Sequence, residues 1–504
     1  MKKLLSIGLA LTMAASLAAC GGGNSQTTGN SGAADDGAVK ESQAAGGTEA
    51  AQNAESQAAG SGETITLRVM DSSDSTQERR KVFNEEFMER HPEIKIEYTM
   101  LSGDQLTQTL TTAIKSGDAP DLFSLPSGVK LSTAVSESWY QPMTSYLSQE
   151  FIDSFETGAL NEGVTTIDGE IYVLPEAANI VNSLMFYNKD IFEECGLDPE
   201  NPPQTWSEFL DACKTITEKG QGKYYGIIES GNVPTRNEIE LRSFANIAGA
   251  QCNYYGVMSV VDGKNPFASD AMKQALNLYA QLSADGSIHP DSINLDAPSA
   301  RAMFAQGQAG FLIQGSWCIP TWRAENPDFN FGVMALPVPD DGAKGGNPYI
   351  GAQPWMGISA TCEHPEAAAL YLTELFGEDY QSKVVSDGGF VSCIKGVNEK
   401  AMTDEMMLKY YELAMSSGKL CPDPLALNPE TADVYSKVKE VTPNLGQIVQ
   451  GVMAGSITDI DAALDTFSED TQAEWERAMG EAGVDISKFE FSDWDPMTDY
   501  DYAK

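Results

Sequence analysis

The stretch ITLRVMDSSDSTQERRKVFNEEFMERHPEIKIEY, residues 65–98, decides the fold class. Ile65, Leu67 and Val69 alternate with other residues at the two-residue period of a strand. A polar turn follows, Asp71-Ser72-Ser73-Asp74. The charged segment behind it reads as a helix, with Val82, Phe83 and Phe87 assigned to its apolar face. His91-Pro92 ends that helix, because proline disfavours helical angles in the residue before it. Ile94, Ile96 and Tyr98 then alternate again. Strand, helix and strand at this spacing form a βαβ unit, so a parallel sheet is expected.

The same alternation continues downstream. A second helix is predicted over 103–116, stopped by Gly117, and Ala119-Pro120-Asp121-Leu122-Phe123 enters a further strand. Thr205-Trp206-Ser207-Glu208 has the spacing of a capping box and starts a helix to Lys219, with Gly220 as its cap. Helical periodicity also fits 269–284, 299–307, 365–376, 404–416, 431–454 and 470–482. Short apolar strands at 171–174, 184–188, 224–228, 309–313, 329–336 and 355–359 interleave with them. The fold class is therefore α/β, not separate all-α and all-β halves.

Composition narrows the function. The chain has 504 residues, 73 Asp+Glu against 32 Lys+Arg, and a net charge of −41. Such a surface repels phosphate backbones, so no nucleic-acid partner is expected. Only three residues are His, which leaves few ligands for a His/Cys metal site. No metal and no cofactor are expected. At about 100–200 residues per domain, the length suits two or three domains. Residues 456–504 hold 14 acids against Arg477, Lys488 and Lys504, a net of −11, and read as a solvated acidic tail. Asp495, Asp499 and Asp501 lack the spacing of an EF-hand calcium loop.

The first residues, MKKLLSIGLALTMAASLAAC, read as a targeting signal. Lys2 and Lys3 precede an apolar stretch from Leu4 to Leu17 that is too short to span a membrane. Leu17-Ala18-Ala19-Cys20 is similar to the lipobox of bacterial lipoproteins, which implies a signal peptide over 1–19 and lipidation at Cys20. Residues 20–62 form a linker that carries a single large apolar residue, Val39, and repeats ESQAAG at 41–46 and 55–60. A flexible coil of this length spans on the order of 35 Å. The seven later cysteines have no C-x-x-C and no zinc spacing, and read mostly as buried thiols.

Several segments together resemble a known family, the extracellular solute-binding proteins of ABC importers that include maltose-binding protein. These are SGDAPDLF (116–123), DGEIYVLPEAANIVNSLMFYNKDIFEECGL (168–197) and PPQTWSEF (202–209). AMFAQGQAGFLIQGSW (302–317), FGVMALPVPD (331–340), YIGAQPWMGISA (349–360) and HPEAAALYL (364–372) complete the set. The resemblance covers about 64–482. It implies a two-lobed, periplasmic-binding-protein-like (Venus-flytrap) fold with a multi-crossing hinge. Lobe one is placed at 63–178 plus 345–400 and lobe two at 179–344 plus 401–504. The crossings fall near Pro175, at Pro337–Pro348 and around 400–430. A carbohydrate ligand in the interlobe cleft and a membrane permease as partner also follow from the resemblance.

Sugars present hydroxyl edges and C–H faces, so a site needs polar side chains and flat aromatics on loops after strands. The resemblance puts a ligand-binding acid at Asp71 or Asp74, for which helix capping is the alternative role. Ser127 follows the DLF strand, where relatives carry an aromatic that is absent here. Glu176, Asn179 and Asn182 lie beside the first crossing. Trp317, in Gly315-Ser316-Trp317, is the leading stacking candidate, with Trp355 and Gln353 on the other lobe. Arg236, Asn237 and Glu238 are assigned to a polar loop after strand 224–228, as sources of further hydrogen bonds to the ligand. Trp139 and Trp322 are lesser candidates, whereas Trp206, Trp475 and Tyr187 read as packing residues.

No catalytic residues are assigned. The chain lacks G-x-S-x-G, H-E-x-x-H and the P-loop, and its three His, at 91, 289 and 364, all precede proline. The expected product is a monomeric receptor, lipid-anchored on the outer face of the cytoplasmic membrane. Two alternatives are a ligand-binding receptor for a membrane sensor and a secreted carbohydrate-active hydrolase. A glycosidase would need paired carboxylates roughly 5–10 Å apart.

Overall fold

The computed structural model describes residues 64–73, 76–126, 129–156, 158–178, 183–252, 259–349 and 352–502. The signal segment 1–19, Cys20 and the linker lie outside the described residues, as do Asp74, Ser127, Asn179, Asn182 and the side chain of Gln353.

The opening βαβ unit is present. Strand β1 (Ile65–Asp71) pairs in parallel with β2 (Ile94–Met100), from Ile65↔Ile94 to Asp71↔Met100. Between them, α1 (Gln77–Arg90) turns inward a face other than the one the sequence suggests. Val82 is 44% exposed, and the buried set is Arg80, Phe83, Asn84 and Phe87. These residues follow the i, i+3, i+4, i+7 helical spacing, so a cation occupies the apolar stripe. Helix α2 (Gly103–Ser116) has a Ser102/Gln105 capping box and ends at Gly117 in the left-handed region, φ 73°. Next come β3 (Leu122–Ser124), parallel to β1, and β4 (Val173–Ala178).

The chain then enters a second sheet at β5 (Leu184–Asn188). Helix α3 (Trp206–Gly220) starts at the expected capping box, but Gly220 is its last helical residue and Gln221 takes the left-handed cap, φ 49°. Gly220 serves packing instead, since a Cβ there would lie 2.7 Å from the Tyr224 ring. Strand β6 (Tyr225–Ile227) leads to α4 (Pro234–Ile247), so Arg236, Asn237 and Glu238 are helical and not in a loop. Proline at the first helical position sets this start. Helix α5 (Asp270–Ala284), β7 (Ala309–Gln314), α6 (Cys318–Glu325) and β8 (Phe331–Met334) follow.

Strand β9 (Ala352–Ile358) returns to the first sheet, followed by α7 (Pro365–Leu375) and α8 (Glu378–Ser386). Beyond α9 (Glu405–Ser417), the single helix expected over 431–454 is two pieces, Thr431–Lys437 and α10 (Leu445–Met453). Pro443 lies in the gap, where it has no amide hydrogen to donate. The last helix, α11 (Ile460–Ala482), is longer than expected and is no solvated tail. Trp475, Phe489, Phe491 and Trp494 are all buried, while most of the acids face outward.

The first sheet runs β2-β1-β3-β9-β4, with β9 antiparallel to both neighbours, and the second runs β8-β5-β7-β6. Period-two burial shows clearly in β5. Leu184 and Phe186 face the cluster that also holds Leu67, Phe87 and Tyr371 of the first sheet's layer. Met185 and Tyr187 face a second cluster formed with α3, α4 and α5. The cysteines from Cys195 onward are buried, and no disulfide joins them among the described residues. Among those residues, no helix is long and apolar enough to cross a membrane.

Phe186 is fully buried, 5.0 Å centroid to centroid from Trp322 and 6.0 Å from Tyr410. A Phe186→Ala variant is expected to lose about 3–5 kcal/mol of stability, measured by chemical denaturation.

Candidate ligand-binding site

The carboxyl end of the first sheet is organised by one buried cation. Arg80 is fully enclosed, with Nη1 2.9 Å from Asp71 Oδ2 and Nη2 donating to Glu176 Oε1. Its Nε donates to the Tyr380 hydroxyl at 3.2 Å. Burial disfavours the charge, but Asp71, Tyr380 and Glu176 hold the guanidinium well above its usual pKa. Asp71 is also fully buried. It accepts from Ser72 N at 2.8 Å, Tyr98 Oη at 3.3 Å and Trp355 Nε1 at 3.1 Å. Glu176 accepts from Thr76 Oγ1 at 3.2 Å. Burial pushes the Glu176 carboxyl up to about 7, against the opposing pull of Arg80.

Trp355 stands half-buried at this end of the sheet, its carbonyl accepting from Leu125 N at 2.6 Å. Ser72 Oγ and Ser124 Oγ lie 3.5 Å apart nearby. The arrangement is one flat ring with an anchored N–H edge and hydroxyls beside it.

In the second sheet, β7 ends at Gln314 and the chain turns through Gly315-Ser316-Trp317 into α6. Trp317 is half-buried against the core. Its ring folds back over Gly315, where a Cβ would lie only 2.1 Å from the ring. Gly315 is thus required by close approach. Behind the turn, Arg236 Nη2 donates to Ile313 O at 3.1 Å and Nε to Glu240 Oε1 at 2.6 Å. Glu240 and Glu229 are both buried. Burial raises Glu240 against the pull of Arg236. Burial, reinforced by the Glu240 charge, also raises Glu229, well above the usual carboxylate range.

Of the expected sugar-contacting residues, three take internal partners instead. Asp71 and Glu176 neutralise Arg80, and Asn237 is buried with Nδ2 donating to Gly231 O at 3.0 Å. Trp322 is buried in the core, and Trp139 is buried with Nε1 donating to Glu137 at 3.1 Å. Trp317 and Trp355 remain partly open. Arg80 and Gly315 escaped assignment as site residues. The helical spacing of Arg80 with Phe83 and Phe87 was the signal available for the first of them.

A family model for bacterial extracellular solute-binding proteins matches residues 72–382. The chain belongs to that family. A protein of Brucella abortus (strain 2308), named only as a binding protein, is 27% identical over 335 residues, 66% of this chain and 74% of the relative. The multiple sugar-binding protein of Streptococcus mutans serotype c is 24% identical over 66% of this chain and 76% of its own. The crystal structure of an ABC transporter solute-binding protein from Thermotoga lettingae, bound with α-D-tagatose, superposes with a TM-score of 0.62. That match has 22% identity and covers 82% of this chain and all of the other. The solute-binding protein therefore has the two-lobed α/β fold of its structural neighbours.

Two measurements check this geometry. Gly315→Ala is expected to displace the Trp317 ring, seen as a changed Trp317 indole signal, while the global melting temperature falls by only a few degrees. Glu176 sets a pH dependence. Its folded pKa of about 7 exceeds the ordinary 4.5, so the folded protein retains a proton that the unfolded chain releases in between. Relative to Glu176→Gln, the wild type is expected to lose stability as pH rises from about 4.5 to about 7. Thermal melts of both proteins across that window check the sign.

Proposed function

We propose that this protein captures a sugar or oligosaccharide between its lobes and hands it to the permease of an ABC importer. The observation that carries the reading is the pair Trp317 and Trp355, one flat ring just after a strand of the second sheet and one within strand β9 of the first, both half-buried, one packed on Gly315 and the other held at its N–H edge. Sugar C–H faces stack on such rings, and nearby hydroxyls and amides suit the edges. The sugar-binding Streptococcus protein and the tagatose-bound Thermotoga structure point the same way. Asp74, Ser127, Asn179, Asn182 and Gln353 are proposed as the edge-binding groups.

Lobe one is taken as 63–178 plus 345–400 and lobe two as 179–344 plus 401–504. The move of the strands from the first sheet to the second after Ala178, and back before Ala352, supports the first two crossings. Closure follows from a ligand's higher affinity for the closed state. Cys20, acylated, tethers the protein outside the cytoplasmic membrane on its linker, where it works as a monomer. It binds its sugar without chemistry.

A thermal-shift screen against tagatose, raffinose, maltotriose and diacetylchitobiose tests the ligand class. At least one saccharide is expected to raise the melting temperature, and Trp317→Ala is expected to weaken its binding at least roughly tenfold, about 1.4 kcal/mol. No shift with any saccharide, full affinity in the variant, or cleavage of the saccharide overturns the reading.

A further inference from the structure

Strand β9 is irregular where it carries Trp355. Its pairing with β4 shifts register between Ala352 and Pro354 and again between Pro354 and Met356. Irregularities of this kind re-aim a side chain. The Trp355 ring is held by its edge, through Nε1 to Asp71 Oδ1 at 3.1 Å. Asp71 is itself immobile: fully buried, at the end of β1, and paired with Arg80, which Glu176 and Tyr380 hold from the far side.

We propose that Asp71 is the positioning residue for Trp355, setting the pose of that wall of the ligand site without touching the ligand. An ionised acceptor makes a stronger bond to an N–H than a neutral one does. Arg80, 2.9 Å from the other carboxylate oxygen, orients that acceptor. This assignment rests on Trp355 lining the site, and it gives a carboxylate in the first loop a role other than contact with a sugar hydroxyl.

The test uses the mature chain labelled with ¹⁵N at its indoles. The protein has seven tryptophans, and Trp355→Phe identifies the Trp355 signal by its loss. Asp71→Asn keeps the shape and one acceptor oxygen but removes the charge. It is expected to move the Trp355 signal upfield and speed its solvent exchange roughly tenfold, with the other signals little changed. If Asp71→Asn fails to fold, Arg80→Lys, which keeps the cation, is expected to shift the signal in the same direction. An unmoved Trp355 signal in the folded variant overturns the proposal.

A second arm measures affinity for maltotriose and raffinose in a double-mutant cycle. Asp71→Asn is expected to weaken binding roughly tenfold in the wild type and less than about twofold in Trp355→Phe. Equal losses in both backgrounds would mean that Asp71 acts on the sugar directly or through stability alone, and would refute the positioning role. If the wild type binds neither of these nor any other saccharide of the thermal-shift screen, the carbohydrate reading fails, and the indole arm still decides whether Asp71 positions Trp355.

Discussion

A guanidinium taken out of water must find its charge balanced on the spot, and Arg80 is completely out of water. The cation and its three partners come from four places in the sequence. Asp71 ends β1, Arg80 lies on α1, Glu176 is in β4 next to the first change of sheet, and Tyr380 is on α8. Folding cannot satisfy the cation until all four elements have met. An apolar substitute of similar volume is often as stable as a buried ion pair, so net stability does not explain the choice. Geometry does. The cation ties together two strands that are not neighbours, and the Asp71 carboxylate it pairs with also accepts from Trp355.

The second sheet solves a similar problem with different atoms. Arg236 is braced by Glu240, with Glu229 beside it, and it reaches a backbone carbonyl, Ile313 O, just before the Trp317 turn. The ring is placed by sterics rather than by a hydrogen bond. Gly315 lets it lie against the backbone, and any Cβ there would drive it out. One tryptophan is thus held by its polar edge and the other by its face. The first depends on a charge, the second on the absence of an atom.

The periodic features of the fold were legible in the sequence. The alternation of Ile65, Leu67 and Val69, the Thr205–Glu208 box and the strand 184–188 all stand where their patterns put them. What escaped was the identity of buried polar groups. Val82 looks like the core residue of α1 and Arg80 like a surface one, because composition rates a valine apolar and an arginine solvated. Only the spacing to Phe83 and Phe87 places Arg80 inside. Once it is inside, Asp71 and Glu176 must follow, which removes them from the list of exposed hydrogen-bonding groups. Asn237 was misplaced for a related reason: Pro234 reads as a loop residue, yet it begins a helix, where its missing N–H costs nothing. Trp317 and Trp355 are half-buried, which leaves open the stacking role that motif and residue type gave them.

Charge misleads in the same way at the other end of the chain. Residues 456–504 carry a net of −11, and a count alone describes them as a solvated tail. Yet Trp475, Phe489, Phe491 and Trp494 recur among the acids and turn inward. The chain then folds back on itself. Tyr500 N donates to Leu420 O at 2.8 Å, Leu420 N donates to Asp499 at 2.8 Å, and Tyr502 Oη donates to Cys421 O at 2.8 Å. Carboxylates stay hydrated on one side while aromatics bury the other, so the repulsion among them is screened by solvent and does not expel the segment. Net charge sets how a surface meets its surroundings. Whether a segment folds depends on where its apolar residues fall between the charges.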